Sequence, residues 1–443
     1  MLTPNALSYT LSQLVKVAFP TEGALEYSYD RNEAVLELHL QNAGEVHLPL
    51  MTDDEAEVFR MGLAHPLNIA SADGRVEIPV FRTAEAQQET ISTTENVLKI
   101  PYDLITPSYW LLTQAQEYDT TPRDSHDRLP YPASIPAKYD IIHLPLVDEY
   151  AMLLRQWVNE LLHPQWSLTP RTPRFIPTHD IDILYRFNNP WQAYKSILGR
   201  DLLIDKNIQL TKASFKEYKA FKEDKCKDPY ILAILELIRQ SKEHNLFSIF
   251  FFKAQKKGES DCTYDIDDSR VRYCIEQILD AGMGLGLHGS YRSYNNPEVF
   301  GIEKDRLEQV AGRPIMQSRQ HYLRFNADTP LVWESNHISD DYTLGYADQP
   351  GFRCGTCHPH PLFDIQNDRA TAVMEHPLIV MDGSLIDYLH LGIEESNRLI
   401  DQLRERCFAV EGDFVLLWHN HSTARTFKEM YNQVYLNQIH KQQ

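Results

Sequence analysis

Apolar residues in the first twenty positions recur at helical intervals, and the pattern predicts an amphipathic helix over 4–18. ALEYSYD, AVLELHL and EVHLPL alternate apolar and polar residues between turn formers, which predicts three strands. VLKIPYDLI reads as a further strand, and PSYWLLTQAQEY as a helix opened by Pro107 and Ser108. Residues 1–117 are therefore expected to form a small α+β domain. DTTPRDSHDRLPYPASIPAKYD is rich in Pro, Asp and Ser and reads as a surface connection. LVDEYAMLLRQWVNELL carries a stripe through Leu146, Tyr150, Leu153, Trp157 and Leu161 and reads as a joining helix, so that 118–171 link two halves.

From Pro173 the pattern changes. RFIPTHD, LFSIFFF, MGLGLHG, IMQSRQHYLRF and FVLLWHNHS read as strands. DPYILAILELIRQSKEH, SRVRYCIEQILDAG, EKDRLEQVAG, TPLVWESNHI and EESNRLIDQLRERCF read as helices. The unbroken apolar run at Phe250–Phe252 is what a strand buried on both faces requires. Repeated β-α units imply a parallel sheet, open or closed into a barrel, over 172–443.

The length of 443 residues suits two domains. A hydrophobic content of 43% and a charged content of 24% are ordinary for a globular chain. The net charge of −19 would repel phosphates, so general nucleic-acid binding is not expected. No apolar run approaches the roughly 18 residues that span a bilayer, and no secretory signal pattern opens the sequence. A cytoplasmic location is expected, and six cysteines in a chain of this size fit a reducing compartment.

Polar residues follow the apolar strand cores. Thr178, His179, Asp180 and Asp182 follow RFIP, His288 follows MGLGL, and His419 and His421 follow FVLLW. In β/α barrels the carboxyl ends of strands converge on one mouth, so these residues are expected to share a site. Carboxylate and imidazole donors suit a borderline divalent metal such as zinc. Asp180 and Asp182 are two residues apart and face the same way in a regular strand, so one can hold the metal while the other takes a proton.

The ordered set T-H-D-I-D, G-L-H-G-S-Y, R-Q-H-Y-L-R-F and L-W-H resembles the motif series of the polysaccharide deacetylase superfamily (carbohydrate esterase family 4) over roughly 173–422. The resemblance implies a distorted β/α barrel and a metal-dependent hydrolase of acetylated sugars or a related C–N amide. A carbohydrate or small molecule would be its substrate. It also implies roles: Asp180 as catalytic base, Asp182 and His288 as metal ligands, and His419 as general acid. Arg324 would orient the base, with Arg319 the alternative. The stretches DYTLGYADQPGFRCGTC and EHPLIVMDGSL resemble a bacterial subgroup in which such a barrel follows an uncharacterised N-terminal domain.

One departure stands out. The family's second motif supplies two histidines four residues apart, and here Arg292 stands four after His288. Water, or a mouth residue such as His358 or His360, is then expected to complete the coordination. The opposing reading is a catalytically degenerate barrel that binds glycans or acts as a scaffold. Cys354-Gly-Thr-Cys357-His358 has the spacing of c-type haem attachment, but haem attachment belongs to exported proteins, and a loop with ordinary thiols is expected instead. Glu375, His376 and Asp382 read equally well as loop polarity or as substrate contacts.

Overall fold

The computed structural model describes residues 2–20, 26–30, 35–40, 43–118, 122–164, 168–255, 258 and 262–441. The chain divides into two compact units.

The first unit comprises Met1–Arg174, Leu344–Ile379 and Asp401–Phe414. Its opening helix, Pro4–Ala18, starts at Thr3, whose hydroxyl accepts from the Ala6 amide, and buries Leu7, Leu11, Leu14 and Ala18. The three expected strands form at Glu26–Asp30, Val35–Leu40 and Gly44–Pro49, in a five-stranded sheet with Val97–Lys99 and Ser92–Thr94. Alternation sends Leu36, Leu38 and Leu40 inward. The helix expected at Pro107 starts earlier, at Ile105, because Asp103 accepts from the amides of Ile105 and Thr106 at 2.8 Å each. The helix Leu146–Leu161 buries Leu146, Tyr150, Leu153 and Trp157, whereas Leu161 is exposed.

Two findings bear on how the chain divides. The Pro-rich connection is packed in part: Leu129, Ser134 and Ile135 are buried, and Leu129 clusters with Ile142 and Tyr346, while Ser125, Asp127 and Lys138 are exposed. The break near 171 has a counterpart at Arg174, but the chain returns twice to the first unit. Tyr9 donates to the Pro361 carbonyl at 2.6 Å, Thr356 to Asp148 at 2.6 Å, and Arg171 to Asp413 at 2.7 Å. Such long-range contacts leave no local sequence pattern.

The second unit comprises Phe175–Thr343, Val380–Ile400 and Val415–Gln443. Its strands are β1 (Arg174–Ile181), β2 (Ile249–Phe252), β3 (Gly284–Gly289), β4 (Gln317–Gln320), β5 (Asp340–Asp341), β6 (Val380–Met381) and β7 (Asp413–Leu417). They lie in the order β5-β4-β3-β2-β1-β7-β6, and β1 to β5 pair in parallel. Helices Pro229–Glu243, Ser269–Asp280 and Pro297–Ala311 alternate with β1 to β4, as the sequence predicts. The fold is mixed α/β with a parallel sheet whose order within this unit has two ends, β5 and β6.

Register places the chemistry. Asp180 pairs with Phe251 across β1 and β2, and His288 pairs with Arg319 across β3 and β4. These positions close the strands at their carboxyl ends. Gly286 holds β3 tight against its neighbours: a Cβ there would lie 2.5 Å from the Phe251 ring and 2.9 Å from the Gln317 carbonyl oxygen.

Candidate metal centre

The strand ends bring together Asp180, Asp182, His288 and His419 with Asp382, which the sequence offered as loop polarity or a substrate contact, and add two side chains without a site role in the sequence reading, Lys253 and His321. Donor atoms of Asp182, His288 and His321 all lie within 4.8 Å of one another, the one such grouping of three or more metal-ligating side chains among the described residues. His288 Nε2 is 3.3 Å from Asp182 Oδ1 and 3.6 Å from Asp180 Oδ2. His321 Nε2 is 3.4 Å from Asp182 Oδ1.

The tautomer of His288 is set from behind. Its Nδ1 donates to the Arg319 carbonyl at 2.9 Å, so in the neutral ring Nε2 carries the lone pair that faces the carboxylates. His288 Nε2 and Asp182 Oδ1 are buried, and neither makes a hydrogen bond. Buried polar atoms are rarely left so. Donor type, spacing and the unbonded His288 Nε2 together fit a divalent cation, although Asp182 Oδ1 is ion-paired with Lys253 at 3.1 Å.

His321 follows β4 directly, in a turn where Tyr322 (φ 61°) and Leu323 (φ 54°) both take left-handed backbone conformations. Two such non-glycine residues in succession are strained, and the strain accompanies a site residue. The same turn separates the two arginines of this segment. Arg319 Nη1 donates to Asp180 Oδ1 at 3.0 Å and to the Thr178 hydroxyl at 2.9 Å, while its Nε donates to the Tyr342 carbonyl at 2.8 Å. Arg324 instead donates to the Tyr291 carbonyl, with its guanidinium 4.1 Å from the Tyr291 ring and 3.7 Å from the Tyr294 ring. The arginine bonded to Asp180 is therefore Arg319, the alternative at the sequence level. Arg292 is exposed.

His419 Nδ1 donates to Asp382 Oδ1 at 2.6 Å, the His419 amide donates to Asp382 Oδ2 at 3.1 Å, and His419 Nε2 lies 3.4 Å from Asp182 Oδ2. Burial opposes the charged ring, yet Asp382 and Asp182 hold His419 well above the usual imidazole range. Burial likewise opposes the ionised form of Asp182, but His321, Lys253 and His288 hold its carboxyl well below the usual range. Burial pushes His421 down to about 4, helped by neighbouring His419.

Lys253 follows the apolar run of β2, and its Nζ lies 3.1 Å from both Asp182 Oδ1 and His321 Nε2. A cationic side chain therefore stands against two of the candidate ligands. The strand end is braced by Tyr264, which accepts from the Lys253 amide and donates to the Ile181 carbonyl.

Other candidates lie elsewhere. His358, His360, Glu375 and His376 belong to the first unit. His358 Nε2 donates to the Val410 carbonyl and His360 Nδ1 to the His358 carbonyl, while Glu375 accepts from the Leu344 amide. Cys354 and Cys357 are buried thiols pushed well above their usual pKa by burial, and among the described residues neither belongs to a group of three or more metal-ligating side chains.

Residues 5–164 match a family of unknown function, DUF7033. Comparison with curated proteins gives no match. Among solved structures, the chain is similar to a protein provisionally assigned as a polysaccharide deacetylase from Mycobacterium smegmatis (16% identity, 62% of this chain and 89% of that one, TM-score 0.38). It is similar to another so assigned, involved in O-antigen biosynthesis, from Bordetella bronchiseptica (12%, 59% and 78%, TM-score 0.31). A third is BA3943, a carbohydrate esterase family 4 pseudoenzyme from Bacillus anthracis (8%, 62% and 63%, TM-score 0.32).

Proposed function

We propose that this chain is a metal-dependent hydrolase of acetylated sugars or a related C–N amide, with its deacetylase-like barrel lying within 172–443, in the segments of the second unit. The observation that carries the reading is the set of half-buried Asp182 and buried His288 and His321, whose donor atoms lie within 4.8 Å of one another and in which His288 Nε2 is buried without a hydrogen bond. These three side chains would hold the metal, zinc being the ion the donor set suits. When bound, the metal supplies Lewis-acid polarisation of the scissile carbonyl and favours deprotonation of water. The protein's own groups divide the proton transfers. Arg319 fixes Asp180 Oδ1, so that Asp180 is positioned to take the proton of an attacking water. His419, aligned by Asp382 and charged by its two carboxylate neighbours, donates a proton to the departing amine or alcohol.

The test is acetate release from N-acetylated and O-acetylated glycan fragments by the zinc-loaded protein. Asp180→Asn should lower turnover by roughly 10²–10⁴-fold, the usual contribution of a positioned general base. Equal turnover in the variant would remove Asp180 from the mechanism. A second reading has its own observation. Lys253 Nζ already neutralises Asp182 at 3.1 Å, as expected of a degenerate barrel that binds glycans without a metal. Release of acetate in a metal-dependent manner decides between the two.

A further inference from the structure

Between β1 and the helix Pro229–Glu243, the second unit carries helical segments at Pro190–Tyr194, Lys195–Ile204 and Ile208–Glu223. Their inner side is already satisfied. Ala193, Ile197, Tyr218 and Phe221 pack with Phe187 in one core cluster. Arg186 donates to Asp201 at 2.7 Å, to Ser214 at 2.7 Å and to Glu217 at 2.5 Å, which ties the two longer segments to the chain leaving β1. A helix in water needs only one apolar side, and this one is spent on the core.

The same segments also leave large apolar side chains in solvent. Trp191 is 76% exposed, Leu203 70%, Ile204 72% and Ile208 63%, and Tyr194 and Leu198 are exposed with them. Single exposed apolar residues are common, but seven between Trp191 and Ile208 are more than a solvated helical stretch ordinarily leaves out. The charge around it is the reverse of the chain's. Residues 190–227 hold nine Lys and Arg against five Asp and Glu, within a protein of net charge −19. All nine basic side chains are exposed, whereas Asp201 is buried against Arg186. A basic surface studded with Trp, Leu and Ile is the composition of helices that lie in a membrane interface, with apolar side chains among the acyl chains and lysines against anionic headgroups.

We propose that the 190–227 helices dock the protein on an anionic lipid surface. The experiment is sedimentation of the full chain with vesicles of phosphatidylcholine alone and of phosphatidylcholine mixed with phosphatidylglycerol. Two variants accompany it: Trp191→Ser with Leu203→Ser and Ile204→Ser, and Lys212→Glu with Lys216→Glu and Lys219→Glu. All six side chains are exposed, and circular dichroism checks that the variants fold. Wild type is expected to bind the mixed vesicles, with affinity falling as salt rises, and each variant to bind at least about tenfold more weakly. A blue shift of fluorescence on vesicle addition, absent in Trp191→Phe, would place this residue in the interface even if the triple variants misfold. Wild type that stays in solution with both vesicles overturns the proposal, as does undiminished binding by folded variants. So does a concentration-dependent dimer that the apolar substitutions abolish, because a second copy would then cover the face.

Discussion

Replacing Lys253 by methionine separates a lysine that competes with a metal from one that is incidental to it. The ammonium lies 3.1 Å from Asp182 Oδ1 and 3.1 Å from His321 Nε2, both candidate ligand atoms. At that distance an ammonium and a carboxylate attract by about 5 kcal/mol with an effective dielectric of about 20. A divalent cation entering the site takes over Asp182, so most of that attraction is replaced rather than lost. What remains is the displaced ammonium, which gives up its charge-assisted hydrogen bond with His321 Nε2, worth on the order of 1–3 kcal/mol. Lys253→Met keeps the length and apolar stem and removes this competition, so its zinc affinity should rise by roughly 10–100-fold. Isothermal titration of chelator-treated wild type and variant with zinc measures it directly. Equal affinities would show that Lys253 does not compete with the metal. Weaker binding by the variant would mean that the lysine supports the site.

Asp382→Asn should shift the basic limb of the pH–rate profile to lower pH: Asp382 is a main cause of the raised His419 pKa, so without it the ring loses its proton sooner as pH rises. An unmoved limb would separate His419 from the acid role. Arg319→Met should lower turnover and stability together, because it removes the partner of Asp180 Oδ1 and Thr178, whereas Arg324→Met should leave turnover within a few-fold of wild type; the reverse ranking would restore Arg324 as the orienting group. Burial pushes Glu303 up to about 7 from 4.5, so the folded state binds the extra proton and stability should fall as pH rises from about 4.5 to about 7. Glu303→Gln should remove that slope and be more stable at pH 8 by up to about 3 kcal/mol in denaturant melts, and a variant with the wild-type slope would contradict the assignment.

Much of the β-α alternation was legible because buried parallel strands leave continuous apolar runs, as at Ile249–Phe252 and Phe414–Leu417. The rule that located Asp180, His288 and His419, a polar residue just past an apolar strand core, also applies to Lys253 after the run Phe250–Phe252 and to Asp382 after Met381. His321 lies inside the motif R-Q-H-Y-L-R-F, where the family resemblance assigns a role to an arginine and none to the histidine. Which arginine faces Asp180 depends on the left-handed turn at Tyr322 and Leu323, and these residue types do not announce positive φ. The helices between 190 and 223 escaped notice because apolar residues both packed in the core and left in solvent blur the helical period. The returns of Leu344–Ile379 and Asp401–Phe414 to the first unit were invisible for another reason: their partners lie far away in sequence.

The most direct test of the central claim is metal content and titration of the full chain. Chelator-treated wild type, Asp182→Ala, His288→Ala and His321→Ala are titrated with zinc, cobalt and manganese, alongside elemental analysis of the untreated protein. The account predicts one metal per chain in wild type and binding weakened at least about tenfold in each variant, since each removes a first ligand from the metal. Loss in Asp182→Ala and His288→Ala but not in His321→Ala would return the third position to water or to another residue. Wild type that binds no metal better than the three variants would contradict the hydrolase reading and leave the metal-free barrel.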